Sequence, residues 1–313
     1  MSKSAVVFAG QGAQFVGMGR DLAQADPACQ DLFLRADEVL GYPLSKLCFE
    51  GPIAELTKSN HCQPAVFVTA VACYRALCRE APGLHPSAMA GLSLGEWSAL
   101  HAAGALGFDE TLRILAARGR LMQAACEERA GGMVSVIGLP REKLDGICAA
   151  AGVEIANLNS PEQTVLSGEK PRIHAAEQLA QAAGAKRTVL LPVAGAFHSS
   201  LMAAAAAGLA DALRAVRFEI PAAPVVSNVT GRPHGGPEDM RRDMVRQVTS
   251  PVQWVECVQW CRQQGVQAYV ECGPGKVLSG LIKRIDKEAV LLDVQDVPTL
   301  RKTAEALRGY GGA

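Results

Sequence analysis

Residues 91–95 read Gly-Leu-Ser-Leu-Gly, so a serine stands between two glycines that are each two positions away. An apolar stretch precedes this pattern at 88–90, and a helix-like stretch follows it at 96–103. A nucleophilic serine at a strand-to-helix turn needs small neighbours at both places, because the turn is sharp and pushes the hydroxyl outwards. The N–H groups that open the helix also suit a developing oxyanion. The alternative is an ordinary turn that contains a serine, but the strand–helix context favours a nucleophile at Ser93.

The composition is typical of a large globular protein that does not bind nucleic acid. Of the 313 residues, 49% are hydrophobic, enough for one large domain or one domain with an insertion. The formal net charge is zero and only 5% of the residues are aromatic. The chain therefore lacks the basic field and the stacking rings that nucleic-acid binding favours, and we expect no nucleic-acid partner.

The cysteines and one uncharged stretch bear on the cellular compartment. Ten cysteines occur without a C-x-x-C pair, mostly in apolar surroundings, which indicates free thiols in a reducing cytoplasm. No histidine lies near Cys257 and Cys261, so we expect no metal site. The first residues have too short an apolar run for a signal peptide. The stretch 188–210 carries no charge, but we interpret it as a buried strand, a turn and a core helix, and expect no membrane association.

Strand and helix patterns alternate along the chain, which predicts an α/β protein with a mostly parallel sheet. The predicted elements outside the middle of the chain are strands 5–9, 224–228 and 268–272, and helices 21–40, 63–80 (with Pro64 at its start), 109–128, 201–216, 251–264 and 276–285.

The middle of the chain has a different rhythm. Its predicted elements are strands 133–139, 153–159, 163–167 and 187–193, and helices 141–151 and 171–183. That order is β-α-β-β-α-β, the ferredoxin-like arrangement, and a self-contained unit of this kind suggests an inserted domain. We therefore predict a discontinuous large domain of residues 1–129 and 194–313, and a ferredoxin-like small subdomain of residues 130–193.

A nucleophilic serine needs a base, and His198 is the best placed of six histidines. It lies in Gly-Ala-Phe-His-Ser-Ser at 195–200, between a predicted buried strand and an apolar helix. Such junctions carry functional groups in α/β sheets. The alternative is a core histidine with satisfied hydrogen bonds. His234 is interpreted as a loop residue.

A second unusual feature is an arginine on an apolar helix face. At about 100° per residue, Arg118 falls in the middle of one apolar arc. The arc is formed by Ile114, Leu115, Leu121 and Met122. A buried guanidinium stays protonated and must find an anion. Two interpretations are open: a structural ion pair with an internal Asp or Glu, and a bidentate site for a substrate carboxylate.

Two glycine-containing loops do not match nucleotide-binding motifs. The loop that begins at Gly10 has Phe15 where G-x-G-x-x-G needs its third glycine, and Gly-Pro-Gly-Lys at 273–276 has the wrong spacing for a P-loop. Gly10-Gln11-Gly12 is better interpreted as backbone that approaches another site closely.

Taken together, these segments resemble the malonyl-CoA:acyl carrier protein transacylase family and the related acyltransferase domains of polyketide synthases, over nearly the whole chain. The resemblance rests on GQGAQ at 10–14, GLSLGE at 91–96, Arg118, GAFHS at 195–199, Gln247 with SPVQW at 250–254, and GPGKVL at 273–278. It implies an α/β-hydrolase-like large domain with a ferredoxin-like subdomain.

The resemblance also implies the reacting groups. Ser93 is the nucleophile and His198 is its general base, and the backbone N–H groups of Gln11 and Leu94 form the oxyanion hole. The family commonly has histidine before the nucleophile, where this chain has Leu92. That difference leaves both members of the serine–histidine pair in place.

Three further residues gain roles from the resemblance. Arg118 binds the free carboxylate of the malonyl group. Gln247 holds the histidine through its backbone carbonyl, in place of the usual acid. Phe197 belongs to a loop that looks like the malonyl-selecting version, since the methylmalonyl-selecting version usually reads Tyr-Ala-Ser-His.

The implied reaction has two halves: malonyl-CoA acylates the serine, and the phosphopantetheine thiol of acyl carrier protein then takes the malonyl group, for fatty acid or polyketide synthesis. Coenzyme A thioester is a substrate, so we expect no metal or other cofactor, and we expect a cytoplasmic monomer. The carrier is acidic in this family, which points to Lys186, Arg187, Lys283 and Arg284 as a basic docking patch.

Two rival functions remain open at this point. A serine hydrolase or thioesterase would give the acyl group to water, although Arg118 and the Gln11 loop favour transfer. A non-catalytic carrier-docking protein would need neither Ser93 nor His198.

Overall fold

The computed structural model describes residues 3–193 and 195–311. The strands are β1 (Lys3–Phe8), β2 (Ala88–Gly91), β3 (Gly131–Ile137), β4 (Glu154–Ser160), β5 (Gln163–Glu169), β6 (Arg187–Leu190), β7 (Val266–Cys272) and β8 (Val290–Val294). The helices are α1 (Arg20–Ala25), α2 (Pro27–Leu40), α3 (Leu44–Glu50), α4 (Ile53–Leu56), α5 (Ser59–Glu80), α6 (Leu94–Ala102), α7 (Phe108–Glu128), α8 (Arg141–Ala151), α9 (Lys170–Ala182), α10 (Ala203–Ala212), α11 (Pro237–Arg246), α12 (Trp254–Gln263), α13 (Val277–Ile285) and α14 (Val297–Gly311), with a 3₁₀ turn at Ser200–Met202.

A four-stranded parallel sheet in the order β2-β1-β7-β8 forms the centre of the protein. The strands at its centre are covered on both faces, which is why β1 is continuously apolar from Ala5 to Phe8. Val6 and Phe8 face the larger core, and Ala5 and Val7 face a second core around Trp254. The predicted mixed α/β architecture with a parallel sheet is confirmed, and the carboxyl ends of β1 and β2 lie side by side.

A separate antiparallel sheet has the strand order β4-β5-β3-β6. It is built from the predicted succession of strand, helix, two strands, helix and strand. One face packs on its own core, to which Val134 and Leu166 belong, while Met133 and Val165 join the larger core. The N–H of Leu158 donates to the carbonyl of Val252 at 2.9 Å, which ties this sheet to the segment before α12.

Several predicted helices have different bounds. The helix predicted at 21–40 is two helices, because Pro27 forces extended backbone on Asp26, whose side chain then caps α2. The long helix α5 begins at Ser59, so Pro64 lies inside it rather than at its start. The helix predicted at 201–216 is the 3₁₀ turn followed by the shorter α10.

The strand predicted at 224–228 is wrong as a strand, since Val225 and Val226 form only single bridges. The strand β6, predicted to be buried, is an edge strand that pairs with β3 alone among the described strands, and its residue Leu190 is 40% exposed. No element was predicted for α3, α4, α11, β8 or α14. Six of the ten residues of α11 are charged, which hides its apolar positions.

None of the helices in the described part of the chain has both the length and the hydropathy that a bilayer crossing requires. Ala194, where the predicted large domain resumes, lies outside the described residues.

Candidate active site

Ser93 lies on a strained turn between β2 and α6, with φ 53° and ψ −103°. A non-glycine residue rarely adopts this conformation, and the turn persists only where the surroundings impose it. A Cβ on Gly91 would lie 2.0 Å from the carbonyl carbon of Gly95, and a Cβ on Gly95 would lie 2.1 Å from the carbonyl oxygen of Phe8. Both flanking glycines are therefore required, and the predicted strand–turn–helix is confirmed.

Asn228 holds this turn from the other side. Its Oδ1 atom accepts a hydrogen bond from the backbone N–H of Ser93 at 2.6 Å, and its Nδ2 atom donates to the carbonyl of Gly91 at 2.8 Å. The side chain is fully buried. Sequence reasoning gave this residue no functional role, although it is the last residue of the strand predicted at 224–228, and it lies beside the end of β2.

The structure brings His198 to Ser93. The Nε2 atom lies 2.8 Å from the Ser93 Oγ, and Nδ1 lies 2.8 Å from the carbonyl oxygen of Gln247. A carbonyl only accepts, so Nδ1 carries the proton and Nε2 is free to accept from the serine hydroxyl. Burial, helped by the charge of Arg118, lowers the pKa of His198 to about 4. The imidazole is therefore neutral at pH 7, as a general base must be.

The guanidinium of Arg118 is enclosed beside the same hydroxyl. Its Nη2 atom donates to the Ser93 Oγ at 3.2 Å and to the Gln247 Oε1 at 2.9 Å, and Nη1 donates to the Gln63 Oε1 at 2.8 Å. Within the described residues no carboxylate forms an ion pair with it, and its Nε atom has no hydrogen-bond partner. Among the described residues, Arg118 thus has no direct ion pair, and this buried cation contacts the nucleophile and two neutral amides.

Arg118 keeps its charge in this environment. Burial lowers the pKa of the guanidinium to about 10, and the nearby negative charge of Glu96 opposes that change. At neutral pH the group is still protonated. A buried cation without a paired anion is unfavourable unless a charged partner arrives, so the arrangement suits an anionic ligand.

Three other predicted residues lie close to this pair in the chain or in space. Gln11 follows β1, and its side chain donates to the Ser59 Oγ at 3.1 Å. Leu94 is buried and opens α6. In the described part of the chain, neither the N–H of Gln11 nor that of Leu94 donates to an acceptor. Phe197, directly before His198, is buried in the larger core.

A buried carboxylate lies beneath these groups and was not given a role by sequence reasoning. The Glu96 Oε2 atom accepts from the Gln247 Nε2 at 2.7 Å and from the N–H of Asn228 at 3.1 Å. The Glu96 Oε1 atom accepts from the Nε2 of His234 at 2.7 Å. His234 is on a loop, as predicted, but its side chain is fully buried.

Across the described residues, no group of three or more His, Cys, Asp and Glu side chains could hold a metal ion. The ten cysteines are all free thiols. The groups that the structure brings together at this site are a serine, a neutral imidazole and a buried guanidinium.

The comparisons with known proteins agree with this geometry. The family model for the acyl transferase domain matches residues 5–309. The malonyl CoA-acyl carrier protein transacylase of Haemophilus influenzae is 41% identical over 311 residues, which are 98% of this chain and 100% of that protein. Its counterpart of the same name in Bacillus subtilis is 38% identical over 313 residues, 98% of each chain.

A solved malonyl-transacylase, in complex with its type II PKS acyl-carrier protein, has the same fold. It superposes with a TM-score of 0.94 at 42% identity, covering 97% of this chain and 100% of that one. Sequence, architecture and site geometry thus lead to one conclusion: the chain belongs to the acyl transferase domain family.

Proposed function

We propose that this acyltransferase moves the malonyl group of malonyl-CoA, through an ester on Ser93, to the phosphopantetheine thiol of an acyl carrier protein. Relatives of nearly full coverage are named for this reaction. The observation that carries the proposal is the buried guanidinium of Arg118, which has no carboxylate partner among the described residues and touches the hydroxyl that His198 also contacts. An acyl group with a free carboxylate fits that cation and that nucleophile together.

In the first half-reaction the Ser93 Oγ attacks the thioester carbonyl while its proton passes to the Nε2 of His198. The Gln247 carbonyl, which accepts from Nδ1, stabilises the imidazolium as it forms. The N–H groups of Gln11 and Leu94 bind the oxyanion. The tetrahedral intermediate then loses the coenzyme A thiolate, which takes the proton from Nε2, and the malonyl group remains as a serine ester.

The second half-reaction reverses these steps with a different thiol. The phosphopantetheine thiol gives its proton to the Nε2 of His198 and attacks the ester carbonyl. The intermediate collapses with release of the serine oxygen, which recovers the proton from His198. The same two residues therefore serve both halves, and no metal or tightly bound organic cofactor is required by the chemistry.

Arg118 selects the acyl group in this proposal. Gln63 and Gln247 fix the guanidinium plane by accepting one hydrogen bond each. A charge-assisted, buried pair between this fork and the malonyl carboxylate is worth about 2–4 kcal/mol. That energy corresponds to a preference for malonyl over acetyl of about 30- to 1,000-fold. Phe197 contributes to selection against branched malonyl groups, as the resemblance implies.

The fold details are proposals of the same kind. The order β4-β5-β3-β6 with antiparallel neighbours supports a ferredoxin-like subdomain of residues 130–193. The parallel sheet and the strained serine turn support an α/β-hydrolase-like large domain of residues 1–129 and 194–313.

A basic surface supports the carrier as a partner. Arg187 and Gln163 both pair with Ile137, at one end of the antiparallel sheet. Arg284 reaches that end by donating to the Gln163 Oε1 at 3.4 Å, and the N–H of Lys186 donates to the Ile137 carbonyl at 2.8 Å. With Lys283, which precedes Arg284, these four exposed cations form the basic edge, to which we propose that an acidic carrier docks.

The remaining expectations stay proposals. The ten free cysteines support a reducing compartment, and we propose that the protein is a cytoplasmic monomer with malonyl-CoA and acyl carrier protein as its partners. The extender units would serve fatty acid or polyketide synthesis.

Mass spectrometry after exposure to malonyl-CoA tests the proposed function. One malonyl group should map to the peptide that contains Ser93, and Ser93→Ala should not be labelled. Ser98→Ala is the matched control, because Ser98 is another buried serine, in the helix that begins directly after Ser93. A label on a different residue, or none on the wild type, would overturn the proposal. Fast release of malonate without carrier would instead support a hydrolase.

A further inference from the structure

One further buried residue is hydrogen-bonded to both Gln247 and Asn228, and these two residues contact Ser93, His198 and Arg118. Glu96 is in the first turn of α6 and is fully buried. We propose that Glu96 is the positioning residue of this site: through Gln247 it orients both Arg118 and His198, and His234 holds it in place. The inference rests on the proposed function, because it concerns how the site reads a malonyl carboxylate.

Gln247 links Glu96 to the reacting groups, because Gln247 itself contacts Ser93, His198 and Arg118. Its backbone carbonyl accepts from the Nδ1 of His198, and its side-chain Oε1 accepts from the Nη2 of Arg118. Its Nε2 atom donates to the Glu96 Oε2 at 2.7 Å and to the carbonyl of Ser93 at 2.9 Å. All of these groups are buried, so water cannot replace a lost partner.

The carboxylate decides which way the amide of Gln247 points. A carboxylate only accepts, so the amide nitrogen must face Glu96, and the amide oxygen is then left to face Arg118. The reversed amide would place two donors against the guanidinium and an oxygen against the carboxylate. Glu96 therefore ensures that the Gln247 Oε1 accepts from Arg118, and this hydrogen bond fixes the orientation in which the guanidinium can bind the substrate carboxylate.

A second path runs from Glu96 to the serine turn. Its Oε2 atom also accepts from the N–H of Asn228, whose side chain accepts from the N–H of Ser93. The other oxygen, Oε1, accepts from the Nε2 of His234. The nearest carboxylate to the second ring nitrogen of His234 is Asp243, whose Oδ2 lies 3.9 Å away, beyond hydrogen-bond distance. Three donors thus hold the buried carboxylate of Glu96, and each of its two oxygens accepts at least one hydrogen bond.

Glu96→Ala should impair the chemistry more than a structural residue would. We expect the malonyl-to-acetyl preference in single-turnover acylation to fall about tenfold, the effect of one hydrogen bond to a charged group. We expect the malonyl acylation rate to fall about 10²-fold, because the base and the cation both lose their support. Glu96→Gln should recover most of both, since its oxygen still accepts from Gln247 and its amide nitrogen can donate to the Nε2 of His234 in the Nδ1–H tautomer.

The matched control is Glu271→Ala. Glu271 is also buried, but it accepts from the N–H groups of Leu278 and Ser279 at the start of α13. Its loss should lower the melting temperature without changing the malonyl-to-acetyl ratio. If Glu96→Ala does not fold, Gln247→Met gives the second measurement: it keeps the carbonyl that holds His198, and the ratio should still fall about tenfold.

A double-variant cycle separates this inference from the proposed function. Arg118→Ala alone should lower the ratio, and adding Glu96→Ala to it should change the ratio less than about twofold, because the path to selectivity ends at the guanidinium. A folded Glu96→Ala or Gln247→Met with the wild-type ratio would overturn the inference, and so would independent, additive losses in the double variant. Glu96→Gln as defective as Glu96→Ala would overturn it as well. An unchanged ratio in Arg118→Ala would instead overturn the proposed function.

Discussion

Replacing Gly95 with alanine tests how closely the serine turn must approach the parallel sheet. A Cβ at this position would lie 2.1 Å from the carbonyl oxygen of Phe8 and 2.9 Å from that of Ala9. Ordinary contacts begin at 3.4 Å, so the start of α6 must move by the difference, 3.4 − 2.1 = 1.3 Å. The obstructing atoms belong to the backbone at the end of β1, and no side-chain rotation removes them.

The expected magnitudes follow from that displacement. Overpacking against backbone costs about 3 kcal/mol, and the better helix propensity of alanine returns about 1 kcal/mol. The net loss of about 2 kcal/mol should lower the melting temperature by about 4 °C in a protein of this size. A displacement near 1 Å between Ser93 and His198 should slow acylation by about 10²-fold.

Single-turnover acylation by malonyl-CoA and a thermal melt measure both effects. Gly146→Ala in α8 is the matched control, because among the described residues its added Cβ meets no atom within 4 Å apart from its chain neighbours and the backbone of its own helix. There the same substitution should raise stability by about 0.5–1 kcal/mol and leave acylation unchanged. A Gly95→Ala protein that melts no lower than the wild type and acylates at the wild-type rate would refute the reasoning.

Three further predictions concern charge. Arg118→Ala should lower malonyl transfer relative to acetyl transfer by about 30- to 1,000-fold while the protein stays folded, because a charge-assisted pair with the malonyl carboxylate is lost. Competition between malonyl-CoA and acetyl-CoA measures this ratio, and an unchanged ratio would leave the arginine with a structural role only. The acylation rate should fall at acid pH with an inflection near 4 rather than near 6.5, because burial and Arg118 keep His198 neutral until the pH reaches its pKa in the folded protein. The same lowered pKa should make the free energy of unfolding rise with pH between about 4 and 6.5 and make no further contribution above that range. An inflection of the rate near pH 6.5 would contradict this prediction. Lys186→Glu with Arg284→Glu should raise the KM for the carrier several-fold, more at low salt than at high, whereas Lys302→Glu on α14 should not; equal effects would reject the basic edge.

The sequence could predict the parts of the site that depend on residues near one another in the chain. Two glycines around Ser93 and an arginine in an apolar arc are visible within a few turns of chain, because they follow from sterics and helix periodicity. His198 was identified by its place at an element boundary. Its pairing with the serine, 105 positions earlier, is a tertiary contact that no local pattern records.

The hydrogen bonds among Glu96, Gln247 and His234 could not be predicted from the sequence, because they too are tertiary contacts. Glu96 lies 151 positions from Gln247 and 138 from His234, so nothing near any of them marks the contact. The errors in the fold have local causes instead. The break at Asp26 follows from the proline after it, and the edge position of β6 depends on which strand pairs with it.

Among the described residues, Ser93 and His198 are the only non-glycine residues with positive φ, at 53° and 59°. Each such conformation costs about 1–3 kcal/mol, and glycine would remove most of that cost. The Ser93 side chain is small, so glycine there should relieve the strain with little loss of packing, whereas glycine at His198 would leave a cavity and an unpaired Gln247 carbonyl. A laboratory evolution scheme that rewards survival at high temperature alone should therefore favour Ser93→Gly, and the proteins that it selects would lack the hydroxyl that the proposed acylation needs.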